Sequence, residues 1–369
     1  MCSQSFIQRY LRIFLLIPIV LVVAGRLAAE PVEIQEPIVD RWMYPFNSTP
    51  GSRGAVPIFG TTGSEMFDDR DAQFVIVFDT STSVPTGLPP KRYQLHRLEL
   101  RLVHSTADTF LYDPTADPYD SFSDEPAGLD PDPGRPIELY GLGFRNGFSI
   151  DSFQEDVPFG PPGPPAANQR SAFAIDLAGD GAPADVSNNF SAPVSAQPWA
   201  IGITDQVDAG TSVPADTTFS FVLDLSRSEL IGHFQNALAT GRLGLVVTSM
   251  HPASQGGAPA YPVFYTKENI AHSPAEGLFF APRLILDVET EPILVVEAFY
   301  QDPDGLLILQ WNDLGPGVAY TVEYALNTGS DAWQPVGDPE AWPVFNHSWQ
   351  VDPAELPARG VLRVTAIKP

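Results

Sequence analysis

Short apolar runs with a period of two, separated by clusters of proline, glycine, aspartate and asparagine, recur along this chain and restrict its fold more than any other feature. A period of two puts alternate side chains on one face of a strand, and closely spaced breakers leave no room for long helices. Phe219, Phe221, Leu223 and Leu225 alternate with Ser220, Val222 and Asp224, and Leu98, Leu100 and Leu102 alternate with Glu99 and Arg101. Residues 74–78 are continuously apolar, which predicts a strand covered on both faces. Residues 243–247, 263–265 and 284–288 continue the series. The chain is therefore expected to be all-β. At 369 residues it is too long for one hydrophobic core, and two domains are expected.

One helix interrupts the pattern. Ser226 followed by Glu229 has the spacing of a capping box, Leu230, Ile231, Phe234 and Leu238 share a face, and Gly241 supplies the stop. Two long segments, 113–135 and 154–199, read as irregular loops because prolines crowd them and a proline in a central strand leaves a ladder acceptor unpaired. The 113–135 segment carries Asp113, Asp117, Asp120, Asp124, Glu125, Asp130 and Asp132.

Charge narrows the partners. There are 45 acids against 20 lysines and arginines, a formal net charge of −25, and the only lysines are Lys91, Lys267 and Lys368. No basic run exists to track a phosphate backbone, so nucleic-acid binding is excluded as an expectation. Strong acidity suits a soluble exported chain that attracts divalent cations.

The amino terminus has the form of a secretory signal. Arg9 and Arg12 precede an apolar run over 13–24, and Ala28 and Ala29 follow Arg26 as a small-residue cleavage site. The run is shorter than the roughly 20 residues a membrane span needs, so residues 1–29 are expected to be removed, with no membrane span left after cleavage. Cleavage takes away three arginines, no acid, and the single cysteine, Cys2. A mature chain without cysteine has no disulfide, no zinc-thiolate site and no cysteine nucleophile, which fits a bacterial exterior or cell envelope.

Beyond residue 291 the strands become denser, at 293–297, 306–311, 320–324, 333–336, 347–351 and 361–366. With "LLILQW" ending on Trp311, "YTVEY" next and "LRVTA" at the close, residues 292–369 resemble a fibronectin type III-like module. In the first domain Tyr265, Lys267 and Glu268, followed by Ala281, Pro282, Arg283 and Leu284, resemble the end of DNRLRE-type β-sandwich modules over 219–289. That resemblance implies an exported bacterial protein, a jelly-roll-like sandwich and polysaccharide binding. The expected architecture is a jelly-roll-like β-sandwich with one short helix over 30–290, then a smaller fibronectin type III/Ig-like sandwich over 292–369.

Catalytic motifs are sparse. There is no Gly-x-Ser-x-Gly elbow and no His-Glu-x-x-His, and among 45 acids no carboxylate pair is singled out for glycoside hydrolysis. His233 and His96 fall in predicted secondary structure, while His251 lies in a loop after a strand, where functional residues concentrate. Tyr112, Tyr119 and Phe122 in the acidic segment and Trp199 after the proline-rich one are the candidate platform for stacking on sugar rings. The other reading is that each of these rings anchors its loop onto the sandwich. Asp176, Asp180, Asp185 and Asn188, around the turn glycine Gly181, offer hard oxygens suited to a structural calcium ion, with a solvated acidic turn as the other reading. The leading expectation is a secreted, noncatalytic extracellular or cell-envelope protein that binds polysaccharide or another cell-surface component. The second is a structural or adhesive envelope protein that binds another protein, and the third a glycan-acting hydrolase.

Overall fold

The computed structural model describes residues 31–61, 64, 66–117, 132–177, 181–188, 196–254, 258–290, 294, 296–314, 317–326, 333–356 and 360–367. The expected signal segment, 1–29, lies outside the described residues. The chain divides into two compact units, one closing at Val288 and one running Glu289–Pro369.

The larger unit begins with β1 (Val32–Ile34), β2 (Val39–Met43), β3 (Ala55–Pro57), β4 (Gln73–Asp79), β5 (Tyr93–Val103) and β6 (Ile137–Phe144). It continues with β7 (Ala172–Leu177), β8 (Pro183–Asp185), β9 (Ala200–Ile201), β10 (Thr218–Val222), helix α1 (Ser228–Thr240), β11 (Arg242–Ser249), β12 (Val263–Tyr265) and β13 (Arg283–Thr290). One sheet has the order β2-β4-β11-β6-β7-β8, with β9 also paired to β6, and the other has the order β1-β13-β5-β10. β12 and β3 form a separate ribbon. The register is antiparallel, as in Leu245 opposite Ile76 on one side of β11 and Gly141 on the other.

The two sheets pack face to face. Phe74, Ile76 and Phe78 of β4 and Leu243, Leu245 and Val247 of β11 share one core with Leu98, Leu100 and Leu102 of β5 and Phe219 and Phe221 of β10. The alternation legible in 219–225 is the alternation of burial: Phe219 and Phe221 are buried, and Val222 is exposed.

The continuous run of β4 has a second cause. Val75 and Val77, on its other face, belong to a separate core with Val39, Met43, Tyr140, Val246, Phe153 and Val157. The segment after β6 lies over the outer face of the large sheet and supplies Phe153 and Val157. Residues 154–199 are therefore not one irregular loop. They contain β7 and β8, which extend the large sheet, because Ala172, Ala174, Ile175 and Leu177 bury on both faces there.

Helix α1 buries Leu230, Phe234 and Leu238, and Gly241 at φ +80° closes it, donating its N–H to the Ala237 carbonyl. Its start differs from the expected capping box. Arg227 occupies the N-cap without a side-chain bond to the backbone N–H groups of the first turn, while Ser226 N–H binds Asp224 and the Arg227 side chain pairs with that of Glu229 at 2.9 Å. An ion pair has displaced the hydroxyl cap.

The smaller unit contains β14 (Val296–Gln301), β15 (Leu307–Trp311), β16 (Ala319–Ala325), β17 (Gln334–Pro335), β18 (Ser348–Val351) and β19 (Val361–Ile367). They form sheets β14-β15-β18 and β17-β16-β19. Leu309, Trp311, Tyr320, Val322, Leu362 and Val364 form their common core. The Asp302-Pro303-Asp304-Gly305 turn closes the first hairpin, with Asp302 Oδ1 accepting the Leu306 N–H and Gly305 at φ +89°.

Candidate functional site

Charged residues inside the larger unit hold its loops to the large sheet. Arg70, fully buried, makes a fork onto Glu138 of β6, Nε to Oε2 at 2.9 Å and Nη2 to Oε1 at 3.0 Å, and its Nη1 donates to the Val186 carbonyl. Burial opposes the guanidinium charge, but Glu138 outweighs it and the Arg70 pKa is raised. Arg170, equally buried, binds Asp68 and donates to the carbonyls of Met43, Arg70 and Asp71. Burial opposes ionisation of Asp68, yet Arg170 together with donors from Asn168 and Asn188 lowers its pKa. Asp71, with less compensation, is pushed by burial up to about 7.

At another edge these interactions meet open solvent. Asp40 of β2, Glu155, Lys267 and Glu268 converge, with Lys267 Nζ 2.8 Å from Asp40 Oδ1, 3.1 Å from Glu268 Oε1 and in contact with Glu155. The backbone follows the same logic: Asp40 N–H donates to Glu155 Oε1 at 3.1 Å, and Arg41 Nη1 donates to the Glu155 carbonyl at 2.9 Å. One ammonium faces three carboxylates, so one of the three must ionise late. Asp40 is the most buried, and burial pushes it up to about 8 despite Lys267. Lys267 has the opposite balance: burial opposes its charge, but Asp40 and Glu155 raise its pKa.

Glu155 also faces outward, onto a cleft of about 520 Å³. Ile38, Val39, Ile150 and Phe153 give it apolar walls, and Asp151, Gln154, Glu155, Asp156 and Arg242 provide polar atoms. An apolar floor with a few fixed acceptors is the general form of a small-ligand or glycan subsite. Sequence reading passed over this place because Asp40 and Arg41 lie 115 and 114 positions from Glu155. The available signal was the charged pair Asp40-Arg41 inside the apolar run "IVDRWM", beside the scarcity of lysine.

The residues chosen from sequence lie elsewhere. Tyr112 and Trp199 are 4% and 1% exposed and belong to the inter-sheet core, so they form no stacking platform. Tyr112 Oη accepts the Thr204 N–H at 3.0 Å, and Trp199 packs edge-on against His233 and Phe234. Both rings are anchors, which is the second of the two readings open at the start. Tyr119 and Phe122 lie outside the described residues.

The expected calcium ligands are not gathered. Asp176 Oδ1 accepts from Trp199 Nε1 at 2.9 Å and from Arg227 Nη2 at 3.0 Å, and its Oδ2 accepts the Gln197 N–H. Asp185 binds Arg145 and the Ser187 N–H. Asn188 bridges Asp69 N–H and Asp68 Oδ1. Asp185 stands opposite Ile175, and Asp176 opposite Ala184, so strand alternation sends the two carboxylates to opposite faces of the sheet. Asp180 lies outside the described residues. Protein donors occupy the oxygens that calcium would need.

Two histidines, His104 and His251, are buried, and burial holds both neutral. His251, 5% exposed, places Nδ1 at 2.5 Å from Ser249 Oγ and its ring 5.1 Å from Phe110, and burial pushes its pKa down to about 3. His104, fully buried, accepts the Val263 N–H on Nδ1 and is pushed by burial down to about 4. His233 is likewise lowered by burial. His251 thus lies beneath the surface with the hydroxyl it touches.

Among the described residues no helix is long and apolar enough to cross a membrane. No family model matches the chain, and neither a curated protein nor a solved structure matches it.

Proposed function

We propose that this is a secreted, noncatalytic protein of the cell envelope or exterior that binds polysaccharide or a related cell-surface component in the cleft beside Glu155. The observation that carries the reading is that cleft, which Asp151, Glu155 and Asp156 line together with Ile38 and Ile150. Carboxylates accept from sugar hydroxyls, while the apolar floor takes the C–H faces. The buried acids speak for binding rather than catalysis. Glu138, Asp68 and Asp40 are each paired to a cation, and Ser249 with His251 is out of a substrate's reach. Export rests on the amino-terminal sequence pattern. For the smaller unit, the first, second and fifth strands in one sheet against the third and sixth in the other support the fibronectin type III/Ig-like reading.

A panel of neutral and acidic glycans tests the proposal by binding isotherms. Retention of a neutral glycan that the double variant Asp151→Asn/Glu155→Gln loses is the expected result. Failure of the whole panel against the wild-type chain overturns it. A specific observation favours a second reading, an adhesive protein with a protein partner: on the smaller unit Leu326, Phe345 and Ile367 are exposed by 73%, 64% and 50%. A stoichiometric protein in an envelope pull-down, with no glycan bound, would select that reading.

A further inference from the structure

Among the described residues, two groups of three carboxylates in the larger unit are close enough to share a cation, and they differ in one respect. Asp40, Glu155 and Glu268 form one group, and Asp113, Asp117 and Asp132 the other, with one oxygen per residue within 4.8 Å of the rest in each. The first group already surrounds the Lys267 ammonium. Among the described residues no lysine is paired with the second, and Arg135 Nη1 lies 3.1 Å from Asp117 Oδ2.

Backbone packing brings its ends together. Tyr112 N–H donates to the Thr211 carbonyl at 2.8 Å, and Gly210 N–H to the Tyr112 carbonyl at 2.7 Å, which fixes Asp113 beside the 210–212 segment. Gly134, at φ +110°, lets the far end approach. A Cβ there would lie 2.9 Å from the Leu111 carbonyl oxygen and 3.0 Å from Asp113 Cβ. The contact therefore needs glycine, both for its backbone angle and for its lack of a side chain.

Asp113 carries the argument. It is 2% exposed, its Oδ1 accepts the Thr115 N–H at 2.8 Å, and its Oδ2 is buried with no donor at all. A buried carboxylate oxygen without a partner is a costly arrangement unless a positive charge completes it. Thr115 does not relieve it. Its Oγ1 lies 2.7 Å from both Asp113 Oδ1 and Asp132 Oδ2, and its single hydrogen can be donated to only one of them.

We propose that Asp113, Asp117 and Asp132 hold a divalent cation, and that its chemistry is that of calcium. Every donor is a hard oxygen, with no imidazole or thiolate in the group, and calcium tolerates irregular sets of six to eight oxygens completed by carbonyls and water. This site is separate from the Asp176 group and from the Glu155 cleft.

Calorimetric titration of the full chain, stripped with a chelator and titrated with CaCl₂, tests it. Asp113→Asn and Asp132→Asn should each remove one calcium equivalent or weaken it by about tenfold or more, a loss typical of disturbed metal coordination. Asp176→Asn should keep that equivalent. Asp132 is exposed, so its variant answers the question even where Asp113→Asn alters the fold, as judged by circular dichroism. A wild-type chain that takes up no calcium overturns the proposal. So do folded Asp113→Asn and Asp132→Asn chains with wild-type stoichiometry and affinity.

Discussion

His251→Asn isolates a single buried ionisation from a crowded set. The asparagine amide keeps a polar atom for Ser249 Oγ, which lies 2.5 Å from Nδ1 in the wild type, and never carries charge. In the folded chain the His251 pKa is pushed from 6.5 down to about 3. A base with a depressed folded pKa contributes stability that is fully present above 6.5 and lost as pH falls toward the folded value, because the unfolded chain takes the proton first. Each pH unit well inside that window is worth roughly 1.4 kcal/mol, so the step from pH 6.5 to 4.5 should cost the wild type about 2 kcal/mol that the variant does not lose. The absolute stability curve would hide this. His104, lowered to about 4, adds a loss of the same sign. Asp40 and Asp71, raised to about 8 and about 7, act oppositely, since their folded forms hold protons that the unfolded chain has released. Their contribution is greatest below the unfolded carboxylate pKa and disappears as pH rises through 7 and 8. With groups of both signs titrating there, the terms partly cancel between about pH 6 and 4, and only the difference between wild type and variant is diagnostic. Urea unfolding of the larger unit at half-unit pH steps gives that difference. Asparagine should start less stable at pH 7.5 and gain on the wild type below 6.5. A difference that stays constant between pH 7 and 4.5 would refute a buried neutral His251.

Packing and pairing give two further tests. Gly141→Ala would put a Cβ 2.1 Å from Trp199 Cη2, inside the core, and should cost roughly 1–3 kcal/mol or more together with a shift in tryptophan fluorescence; a loss under about 0.5 kcal/mol would show that the ring yields freely. Arg70→Met leaves the Glu138 carboxylate buried without its fork and should cost on the order of 3–5 kcal/mol, while Arg70→Met/Glu138→Leu should recover much of that in a double-mutant cycle. Equal losses in the single and double variants would mean that packing, and not charge, sets the cost.

Local pattern carried the strands but not the sites. Alternation in 219–225 and the stop at Gly241 depend on neighbours a few residues away, so they were legible. The burial of residues 74–78 on both faces was legible too, although its cause, the cover supplied by Phe153 and Val157, was not. Strands β7 and β8 were hidden because "AFAIDL" is short and bordered by turn residues, and only pairing with β6 makes it a strand. Tyr112 and Trp199 looked available for the same reason. An aromatic in a loop reads alike in sequence whether it turns outward or caps a core. The helix start was missed because Arg227 and Glu229 compete with the Ser226 hydroxyl, a contest that spacing does not decide. For the acids the difficulty was combinatorial: Asp40 meets Lys267 across 227 positions and Asp68 meets Arg170 across 102.

Charge placement gives the composition a structural meaning. Arg41, Arg70 and Arg170 are buried, and Lys267 and Arg227 are tied to carboxylates or helix-capping contacts at the edges of the sheet. Each consumes an acid or a carbonyl as it does so, which leaves the overall excess untouched but commits these five cations to fixed partners. With 45 acids against 20 lysines and arginines, most of the remaining acids have no cation of the chain to themselves. Where they stand apart, water screens them. Where backbone packing forces them together under burial, as at Asp113, water cannot, and the charge must come from solution. A single acid excess therefore has two consequences, an anionic surface and a demand for a cation at one buried oxygen, and chelation should destabilise the larger unit while added monovalent salt should not substitute for calcium.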